Sequence, residues 1–132
     1  LSTITKYVSD RLEPRLKEVV TDLNQAMRRR EGADRLDTDR LLAAVSGIYL
    51  LATVRDCKDS LALNAVFDQA WGQSGQALEV HIQRNMELFR QNPEDKNTVS
   101  RLDAVIKMAQ LRFSQDYADT LKKARMAAER AR

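Results

Sequence analysis

Apolar residues recur along this chain at spacings of three and four, the period of a helix face, and no run of β-branched residues alternates as a strand would. In the first segment, about Ser2 to Arg30, Leu12, Leu16, Val19, Leu23 and Ala26 form a heptad-like seam. Pro14 falls inside it; its ring clashes with the carbonyl four residues back, which predicts a kink or the start of a second helix. Gly32 is placed to end the segment.

The next segment differs in kind. From Leu41 to Val54 the sequence LLAAVSGIYLLATV is apolar on almost every side, and only Ser46 and Thr53 interrupt it, on one narrow arc beside Tyr49. A helix that is apolar nearly all round has to be enclosed. This one is therefore expected at the centre, with the Ser46–Tyr49–Thr53 arc best able to tolerate polarity. Any face left bare is where a partner is expected. Ala43 and Gly47, four apart, would let a neighbour approach closely. Asp37 or Thr38 caps the helix, with Asp39 in the favourable first turn.

Its far end reads two ways. The polar run Arg-Asp-Cys-Lys-Asp-Ser favours a kink or break near Arg55–Ser60, with Asp59 or Ser60 capping a new helix. Against that, Ala43, Gly47, Leu50, Val54, Cys57, Leu61 and Ala65 keep one helical phase, which would carry the helix on to Trp71. Gly72 then supplies a stop, and Ser74 caps a third element running to about Gln91, ended by Asn92-Pro93. The last helix starts at Asn97 or Thr98 and meets no breaker. Leu102, Ile106, Ala109, Phe113, Tyr117, Leu121, Ala124 and Ala128 form its stripe. Unbroken, it would be about 50 Å long. These elements predict an all-α, four-helix-type bundle, a single domain over 1–132. Long N- and C-terminal helices surround a central apolar helix of about 38–57, or 38–71 if it continues.

Size and charge narrow the functional classes. A chain of 132 residues can bury about two-thirds of its unfolded surface and needs no covalent staple. Cys57 is the single cysteine, which excludes an intramolecular disulfide and fits a reducing compartment, so a cytoplasmic location is expected. The apolar run is shorter than the about 20 residues that span a bilayer, and Arg40 and Arg55 flank it, so no membrane insertion is expected. The chain begins at Leu1 rather than Met, as expected of a processed or excised piece. Of the formal +3, residues 120–132 supply five cations against Glu129, a local +4, leaving −1 elsewhere. This is a basic tail on a near-neutral body.

Candidate chemistry is sparse. His81 is the single histidine, and it shares an apolar arc with Asn85 one turn away. That pair is either an interior polar couple bonded within the protein or the lining of a small-ligand pocket. One His and one Cys cannot build a zinc site without carboxylates, no Glu-x-x-His pair suggests a di-iron bundle, and little besides His81 would support haem. No metal and no cofactor is expected. Cys57 keeps phase with apolar neighbours, which marks inert packing rather than a nucleophile. Residues 71–76, WGQSGQ, lack the Lys-Ser/Thr ending of a phosphate loop. Glu31, Asp34, Asp37 and Asp39 depart from a calcium-loop spacing. With no convergent acid, base and nucleophile, the expectation is that the chain is not an enzyme.

Three functional classes are left. The first is an assembly, adaptor or regulatory module acting on another protein or a second copy, for example as a homodimer. Its coiled-coil-like surface would comprise Leu12, Leu16, Val19 and Leu23, or Phe113, Tyr117 and Leu121. The second is a ligand-sensing bundle excised from a receptor, using His81 and Asn85. The third is nucleic-acid binding through Arg28, Arg29, Arg30, Lys122, Lys123 and Arg125. The protein-contact reading is preferred.

Overall fold

The computed structural model describes residues 3–29, 35–56 and 64–131. Their elements are five helices: α1 (Thr3–Ala26), α2 (Thr38–Val54), α3 (Asn64–Gln91), α4 (Lys96–Arg112) and α5 (Gln115–Arg130). The fold is all-α. Helix α1 packs on α2 and α3, and α4 closes a ring against the same two, which touch across it. Helix α5 lies outside this four-helix ring, on α3 and α4. Successive helices run antiparallel: Arg40 at the head of α2 meets Gln25 near the end of α1, Trp71 faces Arg112, and Asp103 pairs with Arg125. No helix among the described residues is long and apolar enough to cross a membrane.

The heptad-like seam of α1 is the core's first wall. Leu16, Val19 and Leu23 are fully buried, and Leu12 packs at the margin. The helix runs through Pro14 without stopping. The proline is on the exposed side, as is Asp10, so water can satisfy the carbonyl that the ring leaves without a partner. Gly32, Arg30, Cys57 and the candidate caps Asp59 and Ser60 lie outside the described residues.

Helix α2 begins as its sequence predicts. The Asp37 side chain accepts from the Arg40 backbone N–H, and Asp39 sits in the first turn. It ends at Val54, so it does not continue to Trp71; a separate helix starts at Asn64. Gly47 is buried against α1, where an added Cβ would come within 3.3 Å of a Val19 methyl. Ala43, in contrast, is exposed.

Two expected boundaries are displaced. The stop at Gly72 and cap at Ser74 do not occur, and α3 passes straight through both. Phe67, Ala70, Ser74, Leu78, Ile82 and Phe89 keep one buried phase across the glycines, and this packing outweighs the cost of about 1 kcal/mol per mid-helix Gly. Ser74 is buried and donates its hydroxyl back to the Trp71 carbonyl at 2.9 Å, so it caps nothing. The unbroken last helix is instead two. Helix α4 ends at Arg112, and Ser114 caps α5 by accepting from the Tyr117 N–H at 3.0 Å. Folding back lets α5 bury Ala118 and Leu121 on α3 and α4 instead of projecting into water. The start of α4 is capped by Asp95, which accepts from the Asn97 N–H and the Thr98 hydroxyl.

Candidate functional site

The most apolar helix is not enclosed. Helix α2 buries Leu41, Ala44, Gly47, Ile48, Leu51 and Val54, while its opposite side faces water. There Leu42 is 60% exposed and Tyr49 61%. Val45 and Ala52 are half-buried between them, and Ser46 and Thr53 are open beside them. The Thr53 hydroxyl donates to the Tyr49 carbonyl at 2.9 Å, which satisfies it within the helix. Helix α2 needs neighbours on nearly every side, and the bundle supplies α1, α4 and only a shallow contact with α3. Helix α5, which would have made a fourth, sits on the far side. The helix that is covered most fully is α4, held between α2, α3 and α5, with Leu102, Val105, Met108 and Ala109 wholly buried.

Among the described residues, the other large exposed apolar side chains are dispersed: Tyr7 on α1, Val80 on α3 and Met126 on α5. Leu42 and Tyr49 are seven residues apart and share a face. With Val45 and Ala52 they make a stripe at spacings of three, four and three, the repeat of a coiled-coil seam. The sequence marks the Ser46–Tyr49–Thr53 arc as tolerant of water and any bare face of this helix as a place for a partner, while the interface residues it names lie on α1 and at the α4–α5 corner. The signal it lacked was the neighbour count, because the hydrophobic period says how many faces are apolar and not how many are covered.

The residues first considered for an interface are placed otherwise. Leu16, Val19, Leu23 and Leu121 are buried in this chain's own core; Leu12, Phe113 and Tyr117 pack against it. A partner would reach the first four only by opening the bundle. Phe113 and Tyr117 stack on each other at the α4–α5 corner, with ring centroids 5.3 Å apart.

His81 and Asn85 are both committed within the bundle. His81 Nε2 donates to Asn24 Oδ1 on α1 at 2.8 Å. The buried Asn85 amide donates to the His81 carbonyl at 2.8 Å and reaches the Met27 sulfur at 3.8 Å. Burial, and then the nearby Arg84, hold the His81 pKa below its ordinary 6.5. The pair ties α3 to α1, Asn85 from the interior and the half-buried His81 at the margin through the exposed Asn24.

The basic stretches converge on the start of α4. Arg29 reaches Asp95 at 3.4 Å, Arg101 donates to the Arg28 carbonyl, and Arg125 pairs with Asp103. Lys122 and Lys123 are exposed. A cleft of about 590 Å³ opens at the head of α2, lined by Arg28, Arg35, Arg40, Arg101, Asp37 and Asp39. Four guanidinium groups face two carboxylates there, a local +2, and Arg40 is held 3.3 Å from Asp37, whose carboxylate also caps the helix. Among the described residues, no group of three or more His, Cys, Asp or Glu side chains is gathered in a metal-binding arrangement.

Two arginines of α4 are built into the fold: Arg101, which is fully buried near its start, and Arg112 at its end. The Arg112 guanidinium stacks over the Trp71 ring, 3.8 Å from its centroid, and donates to the Trp71 carbonyl at 2.7 and 3.2 Å. It occupies the notch at Gly75, where a Cβ would meet Arg112 Nη2 at 2.6 Å. Phe67 stacks on Trp71 and Arg55 lies 5.3 Å from the same ring. Burial lowers the Arg112 pKa, Glu79 opposes that and Arg55 adds to it. The guanidinium stays charged regardless. Those two donors and that ring anchor the end of α4 to α3.

No protein-family model matches the chain, and no curated protein or solved structure matches it significantly.

Proposed function

We propose that this chain is a non-catalytic helical bundle that acts through protein–protein contact, and that the outer face of α2 meets the same face of a second copy. The observation that carries the reading is the exposure of Leu42 and Tyr49 on one stripe of the most apolar helix. The 3-4-3 spacing suits a helical partner. A two-fold axis on the outer side of α2, level with residue 47, pairs the stripe antiparallel with itself, the self-complementary arrangement of an isologous dimer. Leu42 then opposes the small Ala52 of the second copy, and Val45 opposes its Tyr49, so large residues meet smaller ones.

One 17-residue helix offers less than the about 800 Å² per partner of a standard stable interface. The contact is therefore a reversible one. Light scattering across a concentration series tests it. The expected result is a dimer that forms on concentration and dissociates rapidly on dilution, and that is lost in Leu42→Glu/Tyr49→Glu with helicity and Tm unchanged. A wild-type monomer at hundreds of micromolar (roughly the upper working range for a transient contact), or equal dimerisation of the double variant, overturns the reading.

A further inference from the structure

Helices α4 and α5 are joined by two residues, Phe113 and Ser114, and no Gly or Pro occurs from Asn97 to the end of the sequence. The corner is held by few devices: the Ser114 cap, the Phe113–Tyr117 stack and the seating of Arg112 on α3. The contacts that α5 makes on the body are side-chain contacts a separate molecule could supply equally well. Arg125 pairs with Asp103 and lies over the Phe89 ring, while Leu121 and Ala118 are buried.

The phase of the two contact faces is the deciding geometry. The α4 face toward α5 carries Asp103, Ile106, Lys107 and Gln110; the α5 face toward the body carries Ala118, Leu121 and Arg125. Laid on one straight helix, all seven fall within an arc of about 120°. A straightened α4–α5 helix therefore presents both faces on the same side. Two such helices, antiparallel about an axis at Phe113–Ser114, would place each α5 on the other copy's α3 and α4.

We infer that α5 is an exchangeable arm, and that its binding surface on α3 and α4 also accepts the α5 of a second copy in a reciprocal swap. The contacts of α5 on α3 and α4 are kept and only those of the corner change, so the corner sets the balance between closed monomer and swapped dimer. This surface is separate from the outer face of α2, so the two inferences fail independently.

The corner can be biased in both directions. Ser114→Ala removes the α5 cap and favours a continuous helix. Gln115→Pro suits the first position of a capped helix after the extended Ser114, and breaks a continuous one. The variants are made in the Leu42→Glu/Tyr49→Glu background, refolded at high concentration and separated by size. Ser114→Ala is expected to raise the dimerisation constant about thirtyfold over its parent, since two closed-form caps are at stake per dimer, and Gln115→Pro to abolish the dimer while keeping native helicity. The Asp103–Arg125 pair then identifies the exchange. Asp103→Arg and Arg125→Asp each repel their own arm, but a swapped heterodimer pairs opposite charges at both sites. On co-refolding, the heterodimer is expected well above the statistical half. A Ser114→Ala protein that stays monomeric, a Gln115→Pro dimer as abundant as its parent's, or a statistical charge mixture overturns the swap.

Discussion

At Gly75 a missing methyl group decides whether a cation is seated. The Arg112 guanidinium fills the space a Cβ would take, so Gly75→Ala must push it off the Trp71 carbonyl. The substitution gains about 1 kcal/mol of helix propensity but loses charge-assisted hydrogen bonds worth about 1.5–3 kcal/mol. The net expected is a destabilisation of about 1 kcal/mol. Gly72→Ala meets nothing within 4 Å and should stabilise by about 0.5–1 kcal/mol. Urea denaturation of both variants checks the opposite signs. His81 makes the second residue-scale prediction. Its pKa is held below 6.5 in the folded state by burial and then Arg84, so the unfolded chain binds the proton more readily. Its contribution to stability is complete above the unfolded value of 6.5 and is lost as pH falls from there through the lower folded value. Thermal unfolding between about pH 7.5 and pH 5 should show a steeper loss of Tm for wild type than for His81→Gln. Equal slopes would mean that His81 is not the group responsible.

Helices were legible wherever the apolar period and a capping side chain agreed. Asp37 with Asp39, and Asn92-Pro93, marked boundaries that the structure keeps, because each supplies a local hydrogen bond or removes one. Boundaries were misread where local chemistry and tertiary packing disagreed. Gly72-Gln73-Ser74-Gly75 has the composition of a stop and restart, yet packing on both sides holds α3 continuous and puts Gly75 to use as a seat for Arg112. The opposite error fell at Phe113-Ser114. A serine followed by Gln115 and Asp116 is a valid helix start, but it lay inside an unbroken apolar stripe and the stripe prevailed. Only the presence of a body for α5 to fold back on makes the break favourable.

In the whole molecule, the ring of α1, α2, α4 and α3 is closed without α5, and the extra helix settles on the α3–α4 side. That choice encloses α4 and leaves α2 bare. The fold class was legible because it depends on the number and phase of apolar stripes along the chain. Which stripe is enclosed was not, because it depends on where the last helix docks, a long-range property that periodicity does not carry. The same asymmetry predicts the pattern of hydrogen exchange. Amides around Leu102, Val105 and Met108 should be protected to near the global unfolding free energy, since α4 is covered by three helices. Those of α5 beyond Leu121 should exchange through smaller openings. Equal protection of α4 and α5 would show that the fifth helix unfolds only with the rest.

Trp71 is the single tryptophan of the chain, and its indole lies against the Arg112 guanidinium and the Phe67 ring. The protein therefore carries its own optical reporter at the joint where α4 gives way to α5. Any event that unseats Arg112 changes the polarity and stacking around that one fluorophore. Its emission can follow the corner in unlabelled protein, on the timescale of the movement itself.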